Sequence, residues 1–270
     1  MSGLTAALTI LWQSFAYRIR MREANNLAVT VSMMVAFALP WGDVLYRTAY
    51  ALLLNIYVYL INDYCDIQVD LASDKKDQVK TRYMAQHRHA ALGALLGLGA
   101  LLLAGALWHS RLLLLTFAAN TVLITVYSAW LKRVPLVDLV LMALAGGSMT
   151  MVGLPGQPLG WYLIGLLCLL SAAYEAIQVI RDEPTDREHG VRTTAVLLGA
   201  RWASWVFRGI MVGAAAYGHL VLGSPVVLGL LLAAPLPLSP RRASRTWDMV
   251  RVIGGLVWLG LLLQIFLGDL

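Results

Sequence analysis

Residues 45–70 read LYRTAYALLLNIYVYLINDYCDIQVD. From Leu45 to Asn62 the stretch is mostly apolar, and as a helix rising 1.5 Å per residue it is about 27 Å long. That nearly matches the ~30 Å hydrocarbon core of a bilayer, so the segment is expected to span a membrane. It runs straight into an acidic block, Asn62, Asp63, Asp66 and Asp70. At helical spacing Asn62, Asp66 and Asp70 share one face with Asp63 beside them, and Asn55 and Tyr59 extend that face into the membrane. Like charges on one face repel, and a helix C-terminus disfavours anions. The block therefore calls for a cation.

The rest of the chain fits this start. Of 270 residues, 59% are hydrophobic and 13% charged, against about half and a quarter in soluble domains. Lipid must cover that surface. Further apolar segments at 26–42, 90–108, 112–131, 134–155, 159–180, 202–222, 224–239 and 248–267 bring the expected crossings to nine, all helical because backbone groups in lipid must be satisfied within a segment. The expected architecture is an all-α polytopic membrane protein, a single domain over 1–270. Residues 1–22 are expected to form an interfacial helix, with Leu4, Leu8, Leu11 and Phe15 at helical spacing. The apolar run Leu4 to Trp12 precedes Arg18, Arg20 and Arg22, the reverse of a secretory signal.

Basic residues cluster before the first span, between the second and third (Lys75, Lys76, Lys80, Arg82, Arg88), at Lys132 and Arg133, between the sixth and seventh (Arg181, Arg187, Arg192, Arg201), and at Arg241, Arg242 and Arg245. The other side has Arg47 and Arg111. This asymmetry places the N-terminus and the loops 62–89 and 181–201 in the cytoplasm. It also accounts for the net charge of +6 without nucleic acid, for which no basic stripe with interleaved aromatics exists. Cys65 and Cys168, far apart in sequence, make neither a disulfide scaffold nor a zinc site. Trp12, Trp41, Trp130, Trp161 and Trp202 fall near span ends, as an interfacial belt does.

A second acidic block, Arg181-Asp182-Glu183-Pro184-Thr185-Asp186, follows the sixth span. Glu175, Gln178, Asp182 and Asp186 step by three, four and four along one helical face, and Pro184 is expected to disturb the helix near Asp186. Hard oxygen ligands without Cys or paired His suit Mg²⁺. The expected chemistry is a clamp in which carboxylates and Mg²⁺ hold a diphosphate, stabilise the departing pyrophosphate and leave an allylic cation. Tyr59 or Tyr127 would face that cation. Lys76, Lys80, Arg82, Lys132 and Arg181 are candidate cations for the phosphates.

With these motifs the chain resembles the UbiA superfamily of intramembrane prenyltransferases. Asn62-Asp63-x-x-Asp66-x-x-x-Asp70 is similar to its first Asp-rich signature. Asp182-x-x-x-Asp186, followed by Gly190, Arg192, Thr193 and Ala195-Val196-Leu197-Leu198-Gly199, is similar to the second. Tyr127-Ser128-x-Trp130-Leu131-Lys132 looks like the segment after the fourth helix. The resemblance implies a nine-helix bundle with a central cavity opening near the cytoplasmic side, and Mg²⁺-dependent transfer from a prenyl diphosphate to an aromatic or other lipophilic acceptor. A terpene cyclase on the same fold, needing no acceptor, is the alternative. It implies metal ligands at Asn62, Asp63, Asp66, Asp182 and Asp186, and acceptor contacts near Asn25, Asn26 and Arg22. Two departures stand out: Val179 where the family often has Asp, and Lys80-Thr81-Arg82-Tyr83-Met84-Ala85-Gln86 in place of an Arg-Pro pair and a Gly.

Overall fold

The computed structural model describes residues 2–20, 25–71 and 78–270, and every regular element among them is helical. Arg22 and Lys76, two candidate binding residues, lie outside the described residues. The elements are α1 (Gly3–Arg20), α2 (Asn25–Ala36), α3 (Trp41–Cys65), α4 (Ile67–Leu71), α5 (Gln78–Gln86), α6 (Arg88–His109), α7 (Arg111–Ala129), α8 (Val137–Thr150), α9 (Pro158–Glu188), α10 (Thr194–Leu198), α11 (Ala200–Val221) and α12 (Ala243–Leu267), with 3-10 helices at Leu131–Arg133, Met151–Gly153 and Pro225–Ala233.

Five of the expected crossings are met by helices long and apolar enough to cross a membrane: Trp41–Gln68, Arg88–His109, Arg111–Ala129, Pro158–Glu188 and Ala243–Leu267. The other four differ for visible reasons. The first expected span shortens to α2, which gives way to a turn at Ala38 with φ 51° ahead of Pro40. The fifth becomes α8 followed by one 3-10 turn. The seventh, α11, is long enough, but Arg201, Arg208 and His219 lower its apolarity. The eighth, 224–239, is a nine-residue 3-10 helix ending in turns. At ~2.0 Å per residue it covers about 18 Å, and Pro235, Pro237 and Pro240 prevent its extension.

The chain divides into two compact units, one of residues 1–31, 41–129 and 149–153, the other of 32–40, 130–148 and 154–270. In the first, α3 packs on α6 and α7. Gly99 on α6 admits the Tyr57 ring, which also stacks on Phe117 with centroids 5.6 Å apart. Helix α1 presents two faces. Ala6, Ile10 and Ser14 are buried, Ile10 in a core with Leu60, Ile67, Met84, Ala91 and Ala94. Leu4, Leu8, Trp12 and Ile19 are exposed. An apolar stripe left outside while a second stripe packs inward is the arrangement of a helix lying in a membrane interface. Of the expected stripe, Leu4 and Leu8 take the outer face, while Leu11 and Phe15 are half-buried.

In the second unit α9 packs on α11, and the 3-10 helix at Pro225–Ala233 lies against α11 and α12. Helix α8 meets α9 through a glycine pair. A Cβ on Gly146 would overlap Ser171, and one on Gly147 would overlap the Cys168 thiol. Ser171 Oγ donates to the Met142 carbonyl at 2.7 Å. The glycines serve the close helix packing expected of small residues in membrane helices. All five tryptophans assigned to an interfacial belt are exposed.

Candidate active site

The first acidic block ends the longest apolar helix of its unit, and the backbone ladder carries on through it. Asp66 N–H donates to the Asn62 carbonyl at 2.9 Å, and Asp70 N–H to the Asp66 carbonyl at 2.8 Å. The face expected from spacing is therefore real. Asp63, Asp66 and Asp70 are 6%, 4% and 6% exposed. Carboxylates this buried are costly unless charges or hydrogen bonds compensate them. Ser128 Oγ donates to Asn62 Oδ1 at 3.0 Å, so the end of α7 helps orient that side chain. Gln78 at the start of α5 donates to the Asp70 carbonyl at 3.0 Å.

Around Asp63 two cations meet. Lys80 Nζ lies 2.7 Å from Oδ2 and Arg18 Nη2 lies 3.1 Å from Oδ1. The Arg18 guanidinium covers the Tyr59 ring at 3.7 Å from its centroid, and the Tyr17 ring lies 5.1 Å from Arg18 and 4.6 Å from Lys80. Ring faces attract cations without using carboxylate oxygens. Of the expected phosphate cations, Lys80 turns inward on α5 and is buried, whereas Arg82 is exposed. Tyr127 is buried near the end of α7 and Tyr59 is half-buried.

Nearby, Phe15, Arg18, Ile19, Leu27, Leu52, Asn55 and Ile56 line a small cleft with room for about one water, about 20 Å³. Its walls are mostly apolar, and the Asn55 Nδ2 is buried with no acceptor among the described residues. Asn26, the expected acceptor contact, has its amide 3.6 Å from the Met149 sulfur, a weak interaction.

The second block lies in the other unit. Pro184 was expected to disturb the helix, but α9 runs through it to Glu188. A proline removes one ladder bond, and Pro184 sits exposed close to the C-terminal end of the helix, where the loss of one bond is tolerated. Glu175, Gln178, Asp182 and Asp186 thus lie on one continuous helical face. Helix α9 ends at Gly190 with φ 68°, a left-handed conformation that favours glycine, and Val191 N–H donates to the Asp186 carbonyl at 2.8 Å. Arg181 and Asp182 pair at 2.8 Å in solvent, an arrangement worth little as stability. Thr193 Oγ1 reaches Asp186 Oδ2 at 3.4 Å. Lys132 is half-buried in the 3-10 turn after α7.

Sequence reasoning missed two residues. Arg18 read only as a cytoplasmic anchor, because nothing in its spacing links it to a carboxylate 45 positions away. Asp138 read as a first-turn carboxylate, yet it is fully buried. Its Oδ1 accepts from Leu139 N–H at 2.9 Å and from the Thr194 hydroxyl, and its Oδ2 accepts from Thr194 N–H at 2.8 Å. Leu136 N–H donates to the same Thr194 hydroxyl at 2.7 Å.

Among the described residues no three His, Cys, Asp or Glu side chains converge as a ready-made metal cage. Magnesium commonly takes one or two carboxylates and completes its shell with water and substrate phosphates. Asn62, Asp66 and Asp70 offer such all-oxygen donors on successive turns, so they fit an ion shared with a diphosphate.

Comparison with known proteins gives the family. The UbiA prenyltransferase family model matches residues 25–252. A lycopene elongase/hydratase from Haloferax volcanii is 30% identical over 231 residues, covering 79% of this chain and 74% of the relative. Among solved structures, one described for digeranylgeranylglyceryl phosphate synthase in membranes aligns with TM-score 0.75 at 15% identity, covering 96% of this chain and 99% of that one. A UbiA homolog from Archaeoglobus fulgidus bound to GPP and Mg²⁺ aligns with TM-score 0.66 at 18% identity, covering 91% and 99%. At these identities the two structures show a shared fold. With the profile match spanning most of its length, the chain belongs to the UbiA prenyltransferase family.

Proposed function

We propose that the chain transfers a prenyl group from a prenyl diphosphate to a lipophilic acceptor with the help of Mg²⁺. The observation that carries this reading is the oxygen-donor face of half-buried Asn62 and buried Asp66 and Asp70 at the end of a membrane-length helix. Such a face at a membrane boundary suits a substrate with a phosphate head and an apolar tail. Asp182 and Asp186 are proposed as the ligands of the second block. Bound there, Mg²⁺ supplies charge neutralisation for the departing pyrophosphate.

The protein's own groups do the rest. Lys80 donates to a phosphate oxygen and stabilises the leaving group, and Lys132, Arg181 and Arg82 are further proposed phosphate cations. The faces of Tyr59 and Tyr127 stabilise positive charge developing on the allylic carbon. Asn26 is proposed to orient the acceptor. The Haloferax relative is named for acting on lycopene, and a neighbouring structure for making a glyceryl phosphate lipid. The acceptor proposed here is of the same lipophilic kind. The N-terminus and the loops 62–89 and 181–201 are proposed to be cytoplasmic, which the excess of basic residues in those loops supports.

The test is pyrophosphate release by purified protein in liposomes with Mg²⁺ and geranyl, farnesyl or geranylgeranyl diphosphate, with and without lipophilic acceptors. Release that requires an acceptor supports the transferase. A cyclic terpene formed without acceptor overturns it and makes the chain a cyclase.

A further inference from the structure

Helix α11 runs for 22 residues, yet it carries Arg208 two turns, about 12 Å, from its start. A charge at that depth needs a counter-charge or a route to the membrane interface. Neither α11 nor the 3-10 helix at Pro225–Ala233 packed on it contains an acidic residue. Among the described residues the guanidinium has one partner, the Trp205 ring, 4.5 Å from its centroid. Arg208 Nε is buried with no acceptor among them. The stacking turns the side chain back toward the start of the helix, the direction in which helical Cα–Cβ bonds already tilt. The charge is thereby brought near the level of Trp202 and Trp205, both exposed. Tryptophans of an interfacial belt sit at the lipid headgroups. Arg201, also exposed, lies seven residues before Arg208 on the same helical face.

The surface farther along the helix is shaped as well. Gly209, Gly213 and Ala216 follow Trp205 at helical spacing, and all three are exposed. A Cβ on Gly209 or Gly213 would meet nothing within 4 Å. Glycine inside a helix costs stability relative to alanine, and no packing among the described residues requires it at these two positions. Together they leave a shallow channel along the outer face of α11, beside exposed Val212. We propose that this face binds a lipid with an anionic phosphate headgroup. Arg208 and Arg201 hold the phosphate, Trp205 backs the Arg208 guanidinium, and an acyl chain lies along Gly209, Gly213 and Ala216. Guanidinium groups pair with phosphate oxygens through two parallel hydrogen bonds, and the lipid supplies the counter-charge that α11 and its neighbour lack. A soluble phosphate would meet the charge and leave the channel empty. A second copy packed symmetrically across α11 would fill the channel but bring Arg208 against its own counterpart, two like charges.

The experiment is native mass spectrometry of the full chain in detergent, titrated with dioleoyl phosphatidylglycerol, dioleoyl phosphatidylcholine or glycerol phosphate. Wild type is expected to bind phosphatidylglycerol about fivefold more tightly than phosphatidylcholine. Arg208→Gln is expected to weaken phosphatidylglycerol about fivefold and to erase that preference, and Arg201→Gln to weaken it less. Arg208→Lys is expected to keep part of the binding, since an ammonium retains the charge but not the paired hydrogen bonds. Gly213→Leu, which closes the channel, is expected to weaken both lipids alike. Arg242→Gln, at an exposed basic residue just before α12, is expected to leave both unchanged. Unchanged phosphatidylglycerol binding in both Arg208→Gln and Arg201→Gln overturns the site, as does an equal loss in Arg242→Gln. Displacement of the lipid by an equal concentration of glycerol phosphate overturns the lipid as occupant in favour of a soluble phosphate. A dimer that survives removal of lipid and is lost in Gly213→Leu overturns it in favour of a second copy. Arg201 is exposed at the start of α11, so its variant decides the matter even where Arg208→Gln folds poorly.

Discussion

Replacing Asp138 by alanine removes the acceptor that ties the start of α8 to the start of α10. Three donors lose it: Leu139 N–H, Thr194 N–H and the Thr194 hydroxyl. Thr194 is 1% exposed and Leu139 6%, so water does not replace the carboxylate. Hydrogen bonds to a charged acceptor contribute about 1.5–3 kcal/mol each, and a stranded buried donor costs about 1–3 kcal/mol. Removing the buried charge itself returns part of this, since burial was costly. The expected net loss is about 3–5 kcal/mol, near 10 °C in melting temperature for a chain of this size. Asp138→Asn keeps one carbonyl oxygen and is expected to lose about 1–2 kcal/mol. Leu136 sits at φ 69°, a strained conformation for a leucine, and its N–H is held by the same threonine. The strain should therefore relax in the variant. The assay is thermal unfolding in detergent of wild type, Asp138→Ala, Thr194→Val and the double variant. The single losses should not add, because they remove one shared bond. A melting temperature within about 2 °C of wild type for Asp138→Ala, or strict additivity in the double variant, would refute the network.

Other expectations follow from the same geometry. Asp182→Ala should lower turnover about 100-fold or more while the melting temperature stays near wild type, because Asp182 is partly exposed and its pair with Arg181 lies in solvent; steady-state kinetics beside a melting curve check both halves. Gly147→Leu should destabilise by about 1–3 kcal/mol or more through overpacking against Cys168, read as a lower melting temperature, whereas Gly93→Ala on α6, with open space around it, should be nearly silent or stabilising. Ser128→Ala should raise the KM for the prenyl diphosphate a few-fold with a smaller effect on kcat, as it frees Asn62 from its 3.0 Å hydrogen bond.

Much of this was legible in the sequence because it rests on periodicity. The spacing of Asn62, Asp66 and Asp70 needs only a helix to bring them together, and the ladder bonds at 2.9 and 2.8 Å supply it. The apolar runs marked the five long spans for the same reason. Length and polarity could not tell a crossing from a short 3-10 segment at 224–239, where packing of Val226 and Val227 against glycines on α12 and α11 settles the conformation. Pro184 misled because one missing ladder bond near the exposed end of a 31-residue helix is not enough to end it. Long-range pairs were invisible. Nothing in the order of residues announces that Arg18 meets Asp63, or that Asp138 meets Thr194 across 56 positions. Such contacts are properties of the assembled helices.

The account's central claim is that the first acidic block carries the diphosphate chemistry. The measurement that tests it most directly is pyrophosphate release from a prenyl diphosphate, with acceptor, by wild type and Asp66→Ala in liposomes across a Mg²⁺ titration. The account predicts release that saturates with Mg²⁺ in wild type and falls about 100-fold or more in Asp66→Ala at every Mg²⁺ concentration, with both proteins melting at similar temperatures. Full release by Asp66→Ala, or wild-type release that ignores Mg²⁺ and its chelation, would contradict it.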